Sequence, residues 1–211
     1  MKQLKGKDLK FADLVLIDDR RWFNFLAYLI RFVENGGKHP IDKFMSNHLG
    51  FVVEENEELS KVKVWEASMV GVKITPLERW MKNPKTNLEV RRYKKPITAS
   101  QKKKFNSWFE KRKGFGYDFG ALAGYLTRWC AMELVENKLL KILVKFFFGK
   151  NYLESKIRFH CSEIYYLAFR KILRVSLWRE IDPSFVTPYD LQKTKKLKTI
   201  GRWYQFEYEV L

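Results

Sequence analysis

Apolar positions along this chain change period several times, and the changes outline its elements. "ADLVLID" (12–18) is a short continuous apolar run that meets the acidic pair Asp18 and Asp19, the pattern of a buried strand. In "RRWFNFLAYLIRFVENGG" the residues Trp22, Phe25, Leu26, Leu29 and Ile30 fall at helical spacing, and Asn35-Gly36-Gly37 ends the run. "HLGFVVEE" and "KVKVWEAS" are strand-like and separated by "NEELS"; "GVKITPLERW" predicts a third strand that stops at Pro76 and turns into a short helix. With "NLEVRRY" as a fourth strand, these make a small antiparallel meander.

"TASQKKKFNSWFEKRKGFG" predicts a helix with a Thr or Ser cap, an apolar face of Phe105, Trp108 and Phe109, and an exit at Gly114 and Gly116. Phe119 to Phe148 is helical in pattern with a strongly apolar face. A polar link after Gly149 leads to a helix that starts near Cys161, with Ile164, Leu167 and Ala168 on its buried face. The tail "GRWYQFEYEVL" alternates and predicts an edge strand. Strands and helices are mixed without a βαβ rhythm, so the fold class is α+β. No repeat or Pro/Gly/Ser linker divides the chain, which reads as a single domain over 1–211 with a helical apolar insertion around 119–150.

Composition narrows the classes. Hydrophobic residues make up 46% of the 211 and aromatic residues 16%, which is globular. The formal net charge of +17 favours an anionic partner, and the runs "RRYKK" (91–95), "QKKKFNSWFEKRKG" (101–114) and "QKTKKLK" (192–198) supply it from along the whole chain. Two cysteines, Cys130 and Cys161, make neither a disulfide framework nor a paired CxxC zinc site. The start lacks a continuous apolar segment with a cleavage site, and "WFNFLAYLIRFV" and "LLKILVKFFF" are short of the roughly 20 residues that span a bilayer. The expectation is a cytoplasmic protein, or one peripheral to a membrane or particle.

Cys161 stands at the first turn of its helix, where exposed amide donors and the positive dipole end lower a thiol pKa. A nucleophilic cysteine also needs a base and a group that orients the base. Three histidines are available. His39 lies in a Gly-Gly-Lys-His-Pro loop. His160 is the neighbour of Cys161, and neighbours on a helix point about 100° apart, which directs it away from the sulfur. His48 opens a strand and is the better base. Along "VKVWEAS", Val62, Val64 and Glu66 share one strand face, and a carboxylate on an apolar face needs a partner such as an imidazole on the next strand. The set is then His48, Glu66 and Cys161.

These residues sit in motifs that resemble the permuted branch of the NlpC-type papain-like amidases, the YiiX/YebB-like group. "ADLVLI" is similar to the family's opening glycine-aspartate strand, with Ala12 where the glycine stands. "SNHLGFVVE" resembles its serine-x-histidine strand, "VWEAS" with "GVKITPLERW" its glutamate-alanine segment, and "GFGYDFGALAG" its tyrosine-aspartate step. "FHCSEIYYLAF" resembles its cysteine-serine-glutamate helix and "VTPYDL" its closing turn. The resemblance implies a circularly permuted papain-like α+β fold, with an antiparallel central sheet packed with helices. It implies acyl chemistry without a cofactor or metal: Cys161 as nucleophile, His48 as base, Glu66 as the orienting group. Tyr117 either lines the cleft as a substrate contact or is a packed tyrosine; Asp118 serves equally as a helix cap, and Glu163 as a charge on the first helical turn.

The function expected is cleavage of an amide (peptide or isopeptide) or ester bond. The substrate classes in view are a peptide, a cell-wall peptide or an acyl lipid, the last by analogy with relatives such as lecithin:retinol acyltransferase. Two other classes stay open: a catalytically silent structural or binding protein of the same fold, and a nucleic-acid or membrane-surface binder acting through the basic faces.

Overall fold

The computed structural model describes residues 3–20, 44–120, 158–178 and 182–205, together with 123, 124, 127 and 131. The expected helix after residue 20, His39, Cys130 and most of the 119–150 insertion lie outside the described residues.

Among the described residues there are eight strands: β1 (Leu14–Asp19), β2 (His48–Glu54), β3 (Lys63–Ser68), β4 (Gly71–Pro76), β5 (Thr86–Tyr93), β6 (Gly116–Tyr117), β7 (Arg158–Phe159) and β8 (Leu197–Trp203). The α-helices bounded within those residues are α1 (Glu78–Met81), α2 (Ala99–Glu110), α3 (Cys161–Ala168) and α4 (Pro188–Lys193). The main sheet has six antiparallel strands in the order β4-β3-β2-β1-β5-β8, and β6 with β7 forms a separate parallel pair. This is the α+β arrangement expected.

β2, β3 and β4 are the expected meander, but β5 is not its fourth member. It crosses to the far side and pairs with β1 from Leu14↔Arg91 to Asp19↔Thr86. The reason lies in β1, whose six residues are all buried. A strand so enclosed cannot leave one edge of N–H and C=O groups unpaired, and β5 supplies the ladder. The first three residues of the tail "GRWYQFEYEVL", 201–203, belong to the edge strand β8, which begins earlier, at Leu197; residues 206–211 lie outside the described residues.

Strand alternation gives the sheet two covered faces. On one, Leu14, Leu16, Leu49, Phe51, Trp65 and Ala67 pack under α2 and α3 through Phe105, Phe109, Tyr165 and Phe169. On the other, Val15, Ile17, Val52, Val64, Leu88 and Val90 pack with Leu77 and Trp80 around α1. Thr98 caps α2, accepting from the Gln101 N–H at 3.2 Å, while the Gln101 side chain accepts from the Thr98 N–H at 2.9 Å.

Two small residues set the approach of β2 to its neighbours. A Cβ on Gly50 would lie 2.7 Å from Val64 Cγ2, so the glycine two residues after His48 lets β3 pack closely on the face that His48 shares. Ala12 has φ 68, the left-handed region that glycine enters freely and that costs an L-residue about 1–2 kcal/mol. Its N–H is held by the Val52 carbonyl at 2.9 Å and its own carbonyl accepts from the Tyr165 hydroxyl at 3.4 Å. Opposite effects are expected in denaturant melts: Gly50→Ala lowers stability by about 1–3 kcal/mol through overpacking, whereas Ala12→Gly raises it by about 0.5–1 kcal/mol. Melts in which the signs are reversed would show that neither backbone position is constrained as described.

Candidate active site

His48 is the first residue of β2, so its ring sits at the end of the sheet and can reach past the edge. Glu66 is on β3, 1% exposed, with Val62 and Val64 on its face as the alternation requires. The two side chains meet, His48 Nε2 to Glu66 Oε2 at 2.8 Å. The other carboxylate oxygen accepts from Thr75 Oγ1 at 2.6 Å and from Arg79 Nη1 at 3.2 Å. Trp80 lies against the imidazole with ring centroids 5.0 Å apart. Each of the two carboxylate oxygens that burial strips of water is thereby offered at least one donor.

Cys161 is buried at the start of α3, near enough to His48 and His160 for both imidazoles to act on its thiol. Since Glu66 takes Nε2 of His48, Nδ1 is the atom left for the sulfur. Three sequence candidates from β2, β3 and α3 are therefore brought into one chain of contacts: Glu66, His48, Cys161.

His160 departs from the expectation that it points away. It is the residue before the helix, with extended φ −90 and ψ 166, so the helical 100° offset does not apply to it. Its Nδ1 is 3.0 Å from Ser162 Oγ, and its backbone N–H donates to Glu163 Oε2 at 3.4 Å. Glu163 thus closes the first turn, the role expected of it. The placement of His160 was legible in principle, because a residue preceding a helix start is normally extended. Thr75 and Arg79 were missed as well; the signal for them was the demand of a buried carboxylate for donors on both oxygens.

Tyr117 is buried close to Cys161, because parallel pairing of β6 with β7 sets Tyr117 opposite Phe159, two residues before the nucleophile position. Burial, with the negative charges of Cys161, Asp118 and Glu163 nearby, pushes its phenol well above the usual value. Asp118 is buried and its N–H donates to the Phe159 carbonyl at 3.3 Å, next to helical residues 119 and 120.

The charges follow from the contacts. Burial opposes the imidazolium of His48, but hydrogen bonds and attraction from Cys161 and Glu66 outweigh it and raise the pKa to about 10. Burial also opposes the Glu66 carboxylate, and the His48, Thr75 and Arg79 contacts overcome it, to about 2. For Cys161, burial favours the thiol, and hydrogen bonds from His160 and His48 with their charge bring it down to about 6. Between those values the site holds a thiolate beside an imidazolium.

The profile of the permuted papain-like amidase family, YaeF/YiiX (C92), matches residues 37–137, a little under half of the chain. The match includes His48, Glu66 and Tyr117 and ends before Cys161. The whole architecture is similar to the crystal structure of the metalloprotein YiiX from Escherichia coli O157:H7, with 17% sequence identity, a TM-score of 0.59, and coverage of 93% of this chain and 99% of that one. The fold is permuted papain-like. No curated protein sequence matches the chain. Although YiiX is described as a metalloprotein, among the described residues of this chain no group of three or more His, Cys, Asp or Glu side chains is placed to hold a metal ion. No helix among those residues is long and apolar enough to cross a membrane.

Alkylation is a direct check on the electrostatics, because only the thiolate reacts. A lowered pKa means that the thiolate is present above about 6 and is lost as pH falls through that value. The iodoacetamide rate at Cys161, followed by peptide mass spectrometry, is expected to be near its plateau at neutral pH. In His48→Ala the midpoint moves up part of the way, and in His48→Ala with His160→Ala it reaches or passes that of an ordinary thiol, since burial then acts alone. One unchanged profile across all three proteins would contradict the two-imidazole account.

Proposed function

We propose that this protein is a cysteine hydrolase that cleaves an amide or ester bond, with Cys161 as nucleophile, His48 as acid and base, and Glu66 as the group that holds the imidazole. The observation that carries the reading is the His48 ring, held by the Glu66 carboxylate through Nε2 at 2.8 Å, with Cys161 near enough for each of the two to shift the other's pKa. The match to a family of amidases supports the same class.

The steps follow from these positions. The Cys161 thiolate adds to the substrate carbonyl carbon, and the carbonyl electrons move to oxygen. The backbone N–H of Cys161, at a helix start, is the donor closest in sequence to the developing oxyanion. Collapse of the adduct breaks the bond to the leaving amine or alkoxide, which takes the proton from the His48 imidazolium. A water then gives a proton to neutral His48 and adds to the thioester; its collapse releases the acid and restores the thiolate. Glu66 keeps its negative charge throughout, since its pKa of about 2 is far from neutrality. Arg79 and Thr75 act on His48 through Glu66 and are positioning residues.

Tyr117 is assigned to the wall of the cleft beside the sulfur, where its ring bounds the acyl group of the substrate. Peptides, cell-wall peptides and acyl lipids are the classes to screen.

The test is hydrolysis of a panel of amide and ester substrates, with trapping of the acyl-enzyme by mass spectrometry. Cys161→Ala is expected to abolish turnover and the adduct, and His48→Ala to reduce kcat/KM by about 10²–10⁴-fold. Glu66→Gln lowers kcat with little change in KM. Turnover that survives Cys161→Ala would remove this assignment. Failure of every substrate to acylate a wild-type protein whose thiol has an ordinary pH profile would favour a silent structural or binding protein.

A further inference from the structure

Part of the excess of positive charge gathers at a place apart from Cys161. A cavity of about 340 Å³ opens between the Lys10–Asp13 segment, the end of β5 with residues 94–97, the start of α2 and β8. Six of its lining residues are cationic and two acidic. The acids are already committed. Asp13 is clamped by Arg92, both contacts at 2.7 Å, and Glu55 accepts from the Phe11 N–H at 2.9 Å with Lys102 at 3.8 Å. Lys10, Lys94, Lys95 and Lys198 remain, and among the described residues none of them is paired with a carboxylate.

Unpaired ammonium groups that merely solvate a surface spread apart to limit repulsion. Here separate chain segments direct them around one concavity with a stiff frame. The Arg92 guanidinium is fixed by two bonds to Asp13 and a third to the Asp8 carbonyl at 2.6 Å. One wall is apolar, made by Phe11, Tyr93, Pro96 and Ile97. The Phe11 ring packs edge-on against Phe51 at 5.4 Å, which anchors it in the core. A concave, part-apolar pocket of this volume suits a compact ligand and excludes a flat bilayer or a duplex.

We propose that this cavity is a binding site for a small, multiply phosphorylated anion. Dense negative charge on such a ligand offsets the mutual repulsion of the four lysines, and phosphate oxygens accept from freely rotating ammonium groups. The site is separate from the catalytic chain of contacts. Ala12, on the cavity wall, pairs with Val52, four residues along β2 from His48, or about 13 Å at the rise of a strand. Loss of chemistry at Cys161 would leave it intact.

Calorimetric titration with sodium tripolyphosphate tests the assignment in the wild type, in Lys94→Gln/Lys95→Gln/Lys198→Gln, and in Lys103→Gln/Lys104→Gln/Lys111→Gln. The last variant removes the same charge from the outer side of α2. The expected result is binding that weakens with salt, falls by about tenfold or more in the cavity variant, and changes by no more than about twofold in the other. Lysine acylation mapped by mass spectrometry on the unmodified protein gives an answer independent of folding in the variants: tripolyphosphate should protect Lys94, Lys95 and Lys198. The inference is overturned by absence of binding at low salt, by equal loss in both variants, or by uniform protection of all surface lysines. Binding seen only to phosphatidylglycerol vesicles or to a single-stranded oligonucleotide would overturn it in favour of a membrane or nucleic-acid surface.

Discussion

The buried carboxylate of Glu66 is the constraint around which the rest of the site is arranged. Removing a carboxylate from water costs on the order of several kcal/mol, and the penalty is offset only if each oxygen finds donors of good geometry. Glu66 draws those donors from three other elements: His48 from β2, Thr75 from β4 and Arg79 from α1. Strand pairing, the turn into α1 and the close approach of β3 that Gly50 permits are all needed for one carboxylate to be satisfied. Its reward in chemistry is an imidazole locked in place, with its charged form favoured.

Cys161 approaches this imidazole from the opposite face of the sheet. α3 is seated by aromatic rings that run from the strand into the helix, with Phe51 against Tyr165 at 5.7 Å and Tyr165 stacked on Phe169 at 4.6 Å. Phe105 and Phe109 of α2 close on the same rings. A rigid, densely packed interior of this kind holds Cys161 at the sheet end with little freedom. The site thus depends on two cores: the aliphatic one that satisfies Glu66, and the aromatic one that aims the thiol.

Charge is organised differently from chemistry in this molecule. Around Cys161 the His48 imidazole, with its raised pKa, faces the thiol and the Glu66 carboxylate, a local balance inside a chain of net charge +17. Part of the surplus is carried by exposed lysines at the other end of the sheet. The clamp between Arg92 and Asp13 raises the Arg92 pKa, and the Arg92 contact pulls the Asp13 pKa down against the larger upward push of burial, so the pairing at the frame of the basic cavity opposes the cost of burying Asp13.

Much of the fold and the main site was visible along the chain. Period-2 runs mark β2, β3 and β4, and Pro76 ends β4 because it cannot continue the ladder. A Thr98 cap starts α2, and the alternation of Val62, Val64 and Glu66 singled out a carboxylate that needed an imidazole. These are local consequences of backbone geometry and of the cost of burying charge, so the sequence alone determines them. It could not determine that β5 abandons the meander for β1, since that choice depends on which strand edge is left unpaired after the others assemble. A helical wheel misplaces His160, whose extended backbone before the helix is a local feature that the sequence does carry. Thr75 and Arg79 gain their roles, and four distant lysines their shared cavity, only when segments far apart in the chain are packed together. Tertiary structure decided those matters because hydrogen bonding and charge act through space, while the sequence pattern records only neighbours along the chain.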